Sequence, residues 1–172
     1  MDNFAEQLIK RNETSADKTK RIAVIIGGVI LTLILVAVGF LFSGTAFSLG
    51  GFVLAVVAGY GTFFMVQSTY VEYEYTFTNG ELDIDKIVAR KKRSSLLSVE
   101  VKKFTDFGKY DDSMEEPDDI TVVISSDNIA SHEYYADFQH EDYGKTRLIF
   151  APDERILENI KHFLPARLRV KF

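Results

Sequence analysis

Cysteine and tryptophan are absent from this chain, and only three prolines and three histidines occur among its 172 residues. Without cysteine there is no disulfide, no thiol nucleophile and no thiolate metal site. The most informative absence is regional: residues 22–71 hold not one Asp, Glu, Lys, Arg or His. A soluble fold has no way to cover so long an uncharged stretch. Intramembrane charges usually mark transport or proton relay, so their absence also argues against those functions.

Within that stretch lie two apolar blocks, residues 22–42 and 49–67, separated by Ser43, Gly44, Thr45 and Ala46. Each approaches the roughly 20 residues that cross the hydrocarbon core of a bilayer. The first is too long for the roughly 7–15-residue apolar core of a signal peptide, and a second block follows at once. Neither contains proline. The expectation is a tight transmembrane helical hairpin over 22–68. Lys10, Arg11, Lys18, Lys20 and Arg21 precede it, Arg90, Lys91, Lys92 and Arg93 follow it, and its short loop carries no charge. The positive-inside rule then predicts a cell-membrane protein with both termini cytoplasmic. The N-terminal segment, 1–21, is expected to be cytoplasmic. Its Phe4 and Leu8, four residues apart, suggest one short amphipathic turn at the interface or a frayed end.

Gly51, Ala55 and Gly59 recur at four-residue spacing on one face of the second block. Small residues so placed allow close helix approach. They fit packing against the first span or homo-oligomer formation through the same face.

Residues 69–172 are expected to form one cytoplasmic domain with a core of its own. From Tyr70 to Phe77 apolar and polar residues alternate, the period of a half-buried strand, and Asn79-Gly80 is the pair that a tight hairpin prefers. Leu82 and Ile84 continue the return strand. A third strand is expected through Leu96, Leu97, Val99, Val101 and Phe104, with a bulge where the alternation slips at Leu96-Leu97. Further strands are expected at 120–125, 133–138 and 146–150, giving about six in a meander. The period then changes: Pro152 and Asp153 open a helix with Ile156, Leu157, Ile160, Phe163 and Leu164 on one stripe, and Pro165 closes it. The fold class is a membrane helical hairpin plus an α+β, mainly β, domain: a bent antiparallel sheet or barrel capped by a C-terminal helix.

Two spans, then the run from Tyr70 to Leu82, then Arg90-Lys91-Lys92-Arg93, together resemble bacterial two-span membrane proteins whose cytoplasmic domain is similar to the bacterial pleckstrin-homology-like fold. The resemblance implies a seven-stranded barrel with a C-terminal helix.

The net charge of −5 hides a separation along the chain. Arg90, Lys91, Lys92 and Arg93 form a basic cluster, with Lys102 and Lys103 nearby. Asp106, Asp111, Asp112, Glu115, Glu116, Asp118 and Asp119 form an acidic loop, read as solvated or partner-binding. A strand leaving the second span starts close to the bilayer. Eight residues carry it about 26 Å away, and the return strand brings the basic cluster back to the headgroups. There each Lys or Arg contributes on the order of 1 kcal/mol against an anionic leaflet. The cluster suits topology determination, non-specific docking on anionic phospholipid, or recognition of one headgroup. Nucleic acid is not an expected partner, because the domain is acidic overall and carries no nucleic-acid-binding motif.

His132, His140 and His162 lack metal-ligand spacing, and no nucleophile elbow, phosphate loop or dinucleotide fingerprint is present. Neither metal nor cofactor is expected. The sequence therefore predicts a non-enzymatic, membrane-anchored binding or scaffolding module that docks on anionic lipid or on a membrane protein partner. The alternative is a structural subunit of a homo- or hetero-oligomeric membrane complex assembled through the hairpin.

Overall fold

The computed structural model describes residues 3–111, 113–114, 119–127 and 132–169. The chain divides into two compact units, one formed by Glu13–Tyr70 and the other by Met1–Asn12 together with Val71–Phe172.

Glu13–Tyr70 is a helical hairpin of α1 (Ser15–Leu41) and α2 (Ala46–Gln67). Helix α1 begins seven residues before the apolar block, because Thr14 is a strong N-cap. Its hydroxyl accepts the amide of Asp17, whose carboxylate accepts the amide of Thr14 in return, both at 3.2 Å. Gly44, at φ 87°, turns the chain between the helices. Both helices are long and apolar enough to cross a membrane. Their apolar side chains point mostly outward, with Leu33 63 % and Val56 73 % exposed, unlike the core helix of a soluble domain.

The second unit contains eight strands among the described residues: β1 (Phe4–Lys10), β2 (Val71–Thr78), β3 (Glu81–Val88), β4 (Lys92–Glu100), β5 (Asp106–Lys109), β6 (Thr121–Ile124), β7 (Tyr134–His140) and β8 (Gly144–Phe150). They build two four-stranded sheets, ordered β1-β2-β3-β4 and β5-β7-β8-β6. Several expectations change here. Residues 4–10 form neither an interfacial turn nor a frayed end but an antiparallel edge strand, with Phe4 opposite Thr78 and Lys10 opposite Glu72. The hairpin is thus inserted between two paired strands. A meander describes only the first sheet, since β6 runs parallel to β8. Among the described residues there are eight strands in two sheets, where the sequence suggested six or seven.

The bulge falls where the alternation slips. Ile84 pairs with Leu97 and Asp85 with Ser95, leaving Leu96 unmatched. Beyond β4 a 3₁₀ turn, Val101–Lys103, leads to the second sheet.

One core joins the two sheets. Tyr73, Tyr75 and Phe77, alternate residues of β2, meet Ala5 and Ile9 of β1, Leu82 and Ile84 of β3, and Phe138, Leu148 and Phe150 from the second sheet. Full burial of each large apolar side chain contributes roughly 1.5–3 kcal/mol. The Tyr75 hydroxyl donates to the carbonyl of Ser125 at 2.6 Å and accepts the amide of Ala151 at 3.2 Å. Burial pushes its phenol well above the ordinary value.

Helix α3 (Glu154–Phe163) closes this core with Ile156 and Ile160. Asp153 caps it, accepting the amide of Ile156 at 2.8 Å. The amide group of Gln7 donates to the carbonyl of Ala151 and accepts the amide of Asp153, fastening β1 to the start of α3. Helix α4 (Ala166–Arg169) follows Pro165. On the outer face of the second sheet Arg147 makes two 2.7 Å bonds to Asp137, and its guanidinium lies 5.1 Å from the Tyr135 ring centre.

Candidate functional site

The basic cluster occupies the turn from β3 to β4, with Arg90 and Lys91, and the first two residues of β4, Lys92 and Arg93. Register fixes where that turn lies within its domain: Val71, the first residue of β2, pairs with Val88, the last of β3. Lys10 pairs with Glu72. Residues 89–93 therefore stand at the end of the first sheet where the chain leaves the domain after β1 and re-enters it at β2.

The turn closes with the amide of Lys91 donating to the carbonyl of Val88 at 3.2 Å. Its central residues, Ala89 and Arg90, have φ of 55° and 57°. Two positive values in succession give the twist that suits a hairpin, but glycine and asparagine normally supply them. The preceding hairpin uses that chemistry, with Asn79 at 49° and Gly80 at 100°. At 89 and 90 side chains occupy the left-handed region, at a cost of roughly 1–2 kcal/mol per residue.

Arginines and lysines of the cluster differ in their surroundings. Arg93 forms an ion pair with Glu74, a largely buried carboxylate, and its Nε lies 3.8 Å from Asp85. Arg90 Nε lies 3.8 Å from Glu72. These carboxylates share the polar face of the sheet, where Glu74 and Asp85 are directly opposite. Lys91 and Lys92 are exposed. Among the described residues neither is within ion-pairing distance of a carboxylate. The patch is thus four exposed cations, of which the two arginines lie beside acids and the two lysines do not. Glu72, Glu74 and Asp85 were not among the expected site residues, although the Asn79-Gly80 turn already implies the register that brings them to the arginines.

The small residues have a different setting. A Cβ added at Gly51 would lie 2.9 Å from the Gly39 backbone of α1, and one added at Gly28 would strike Thr62. Gly51 and Ala55 are the buried residues of α2. Gly59 is looser, with only Thr32 Oγ1 at 4.0 Å. The face of Gly51 and Ala55 is therefore occupied by α1 of the same chain.

Part of the acidic segment is structured. Asp106 begins β5 and accepts the Tyr135 hydroxyl at 2.9 Å. Burial, assisted by that carboxylate, pushes the phenol up to about 12. Asp111 accepts the amide of Ser113, and Asp119 pairs with Lys145; both carboxyls sit below their ordinary value for those reasons. Asp112, Glu115, Glu116 and Asp118 lie outside the described residues.

His140 stacks on Tyr143 at 4.8 Å and accepts the amide of Asp142, while His162 sits near the end of α3. Among the described residues no group of three or more His, Asp and Glu is placed to hold a metal ion.

A β-rich domain with C-terminal helices, carrying two helices long and apolar enough to cross a membrane, fits a membrane-associated module. Over residues 1–170 the chain matches the family described as Bacterial PH-like domain (DUF6106), and it belongs to that family. No curated protein and no solved structure matches it.

Proposed function

We propose that this protein is a non-enzymatic, membrane-anchored binding module. Its hairpin spans the cell membrane with both termini cytoplasmic, and its PH-like domain docks on the anionic inner leaflet, where it meets a membrane protein partner. The observation that carries this reading is the placement of the four-cation turn at the end of the sheet through which the domain is tethered. A tether keeps the turn within a short distance of lipid, so even about 1 kcal/mol per cation suffices to hold it there.

Assembly through the hairpin, with the domain as a structural subunit, is the weaker reading. The small-residue face it needs is taken by the hairpin itself.

Hydrogen–deuterium exchange on the full-length chain in nanodiscs tests the proposal. Peptides covering 86–94 should exchange more slowly in discs containing phosphatidylglycerol than in phosphatidylcholine alone. Changing Arg90, Lys91, Lys92 and Arg93 together to Ser should abolish the difference. Equal exchange in both lipids for the unaltered chain would refute docking.

A further inference from the structure

The division of labour within the basic turn deepens this reading and rests on it. We propose that the leaflet is contacted by Lys91 and Lys92, while Arg90 and Arg93 are positioning residues that brace the turn against its own sheet. The ligand is the phosphodiester of an anionic phospholipid at the bilayer surface.

Three observations converge. First, the arginine heads are engaged: Arg93 with Glu74 and Asp85, Arg90 near Glu72. Glu74 is buried on a sheet face, and losing its cation would leave a desolvated carboxylate uncompensated. To reach lipid, Arg93 would have to abandon that partner. Second, all four cations are exposed, but Lys91 and Lys92 carry no such obligation to a carboxylate among the described residues. Four cations and three carboxylates leave the patch one net positive charge, so a contact by the patch as a whole would be weak, whereas two outward ammonium groups keep their full charge for the headgroups. Third, the backbone that carries the lysines is held in a conformation its residues disfavour, with Ala89 and Arg90 both at positive φ. Such strain persists where surrounding contacts over-determine the geometry, and it gathers at sites where a fixed geometry is used. Here the surrounding contacts are the arginine–carboxylate pairs, and the geometry they fix is the direction in which residues 91 and 92 leave the turn.

A plain topology signal would have no need of this arrangement. The positive-inside rule counts charge near a span and is indifferent to which cation is paired or to the backbone angle between them.

The test is amine acylation of the full-length chain in nanodiscs, read lysine by lysine by mass spectrometry. Lys91 and Lys92 should react about fivefold more slowly in discs of phosphatidylcholine with phosphatidylglycerol than in phosphatidylcholine alone, the factor that roughly 1 kcal/mol per residue implies. Lys145, paired with Asp119 elsewhere on the domain, serves as the unchanged reference. Two variants separate this assignment from docking in general, with exchange over 86–94 as the readout. Lys91→Gln with Lys92→Gln should abolish the lipid-dependent protection, whereas Arg90→Gln with Arg93→Gln, which frees the turn but leaves both lysines charged, should weaken it only in part. If the arginine variant alone loses protection, the assignment is overturned while docking stands. If neither lysine changes its reactivity with lipid in the unaltered chain, the assignment fails; unchanged exchange over 86–94 would then remove docking as well.

Discussion

Ala89 and Asn79 occupy matching places in two hairpin turns of one sheet, yet only Asn79 suits its backbone. Ala89→Gly should therefore raise stability by up to about 1 kcal/mol, because glycine enters the left-handed region without a Cβ clash. Chemical denaturation of the chain in detergent checks the sign. If the turn's strain serves to aim Lys91 and Lys92, the same variant should show weaker lipid-dependent protection of residues 86–94, a gain in stability paired with a loss in contact.

Tyrosines give a second prediction at this scale. Tyr75 and Tyr135 have phenols raised by burial, Tyr135 to about 12, while an unfolded tyrosine ionises near 10. A raised folded value means that their contribution is complete below pH 10 and is lost as pH climbs from 10 through 12. Absorbance of tyrosinate should accordingly show a late group of tyrosines that ionise together with loss of β-sheet circular dichroism. Ionisation of all eight as one smooth titration near pH 10, with the fold retained, would contradict the burial of Tyr75.

Among the elements, β1 shows most plainly what sequence can and cannot reveal. Its buried face is Ala5, Gln7 and Ile9, a small residue, an amide and one aliphatic. Its large apolar residues, Phe4 and Leu8, are 60 % and 54 % exposed. The hydrophobic pattern thus points to the wrong face, and the partner strand lies beyond an entire helical hairpin, so no local turn signals the pairing. β5 was hidden by similar means, since Asp106-Phe107-Gly108-Lys109 carries one apolar residue within an acidic run. By contrast, β2, β3 and α3 were legible because their alternation or helical stripe coincides with burial and their ends bear Asn-Gly or Pro-Asp. The parallel pairing of β6 with β8 had no local mark, because parallel strands need no adjoining turn. At the candidate site the cluster itself was legible and its neutralising carboxylates followed from register, but the strained backbone at 89 and 90 was not, since Ala and Arg are not residues that announce a left-handed turn.

Two element-level outcomes follow. Gln7→Ala removes both bonds that fasten β1 to the start of α3 and should cost about 1–3 kcal/mol, seen as a lower denaturation midpoint. In the hairpin, Gly51→Leu should destabilise strongly because its side chain meets the Gly39 backbone, whereas Gly50→Leu, with open space around it, should leave the unfolding temperature in detergent unchanged. Equal effects at 50 and 51 would mean that α2 packs through a different face.

As a whole molecule, the chain couples an apolar hairpin to a PH-like domain at two points, between β1 and β2, and the domain's basic turn lies at that same end of its sheet. Both connections are covalent and short in sequence, from Lys10 to Ser15 and from Gln67 to Val71. They also mean that a soluble fragment beginning at residue 69 would lack an edge strand, so experiments on lipid contact belong to the full-length chain. Because the sequence has no cysteine, single-cysteine labelling of that chain is free of background. In intact cells, a membrane-impermeant maleimide should label Ser48→Cys in the hairpin and leave Ser94→Cys untouched until the membrane is opened. The reverse order would place the domain outside.

The most direct measurement attaches a fluorophore at Ser94→Cys, beside the basic turn, and reconstitutes the full-length chain in nanodiscs bearing headgroup-spin-labelled lipid as quencher. Quenching should be stronger with phosphatidylglycerol present than in phosphatidylcholine alone, and the difference should vanish at about 1 M salt, where the screening length falls to about 3 Å. Quenching that is the same in both lipids and indifferent to salt would contradict docking of the basic turn on an anionic leaflet.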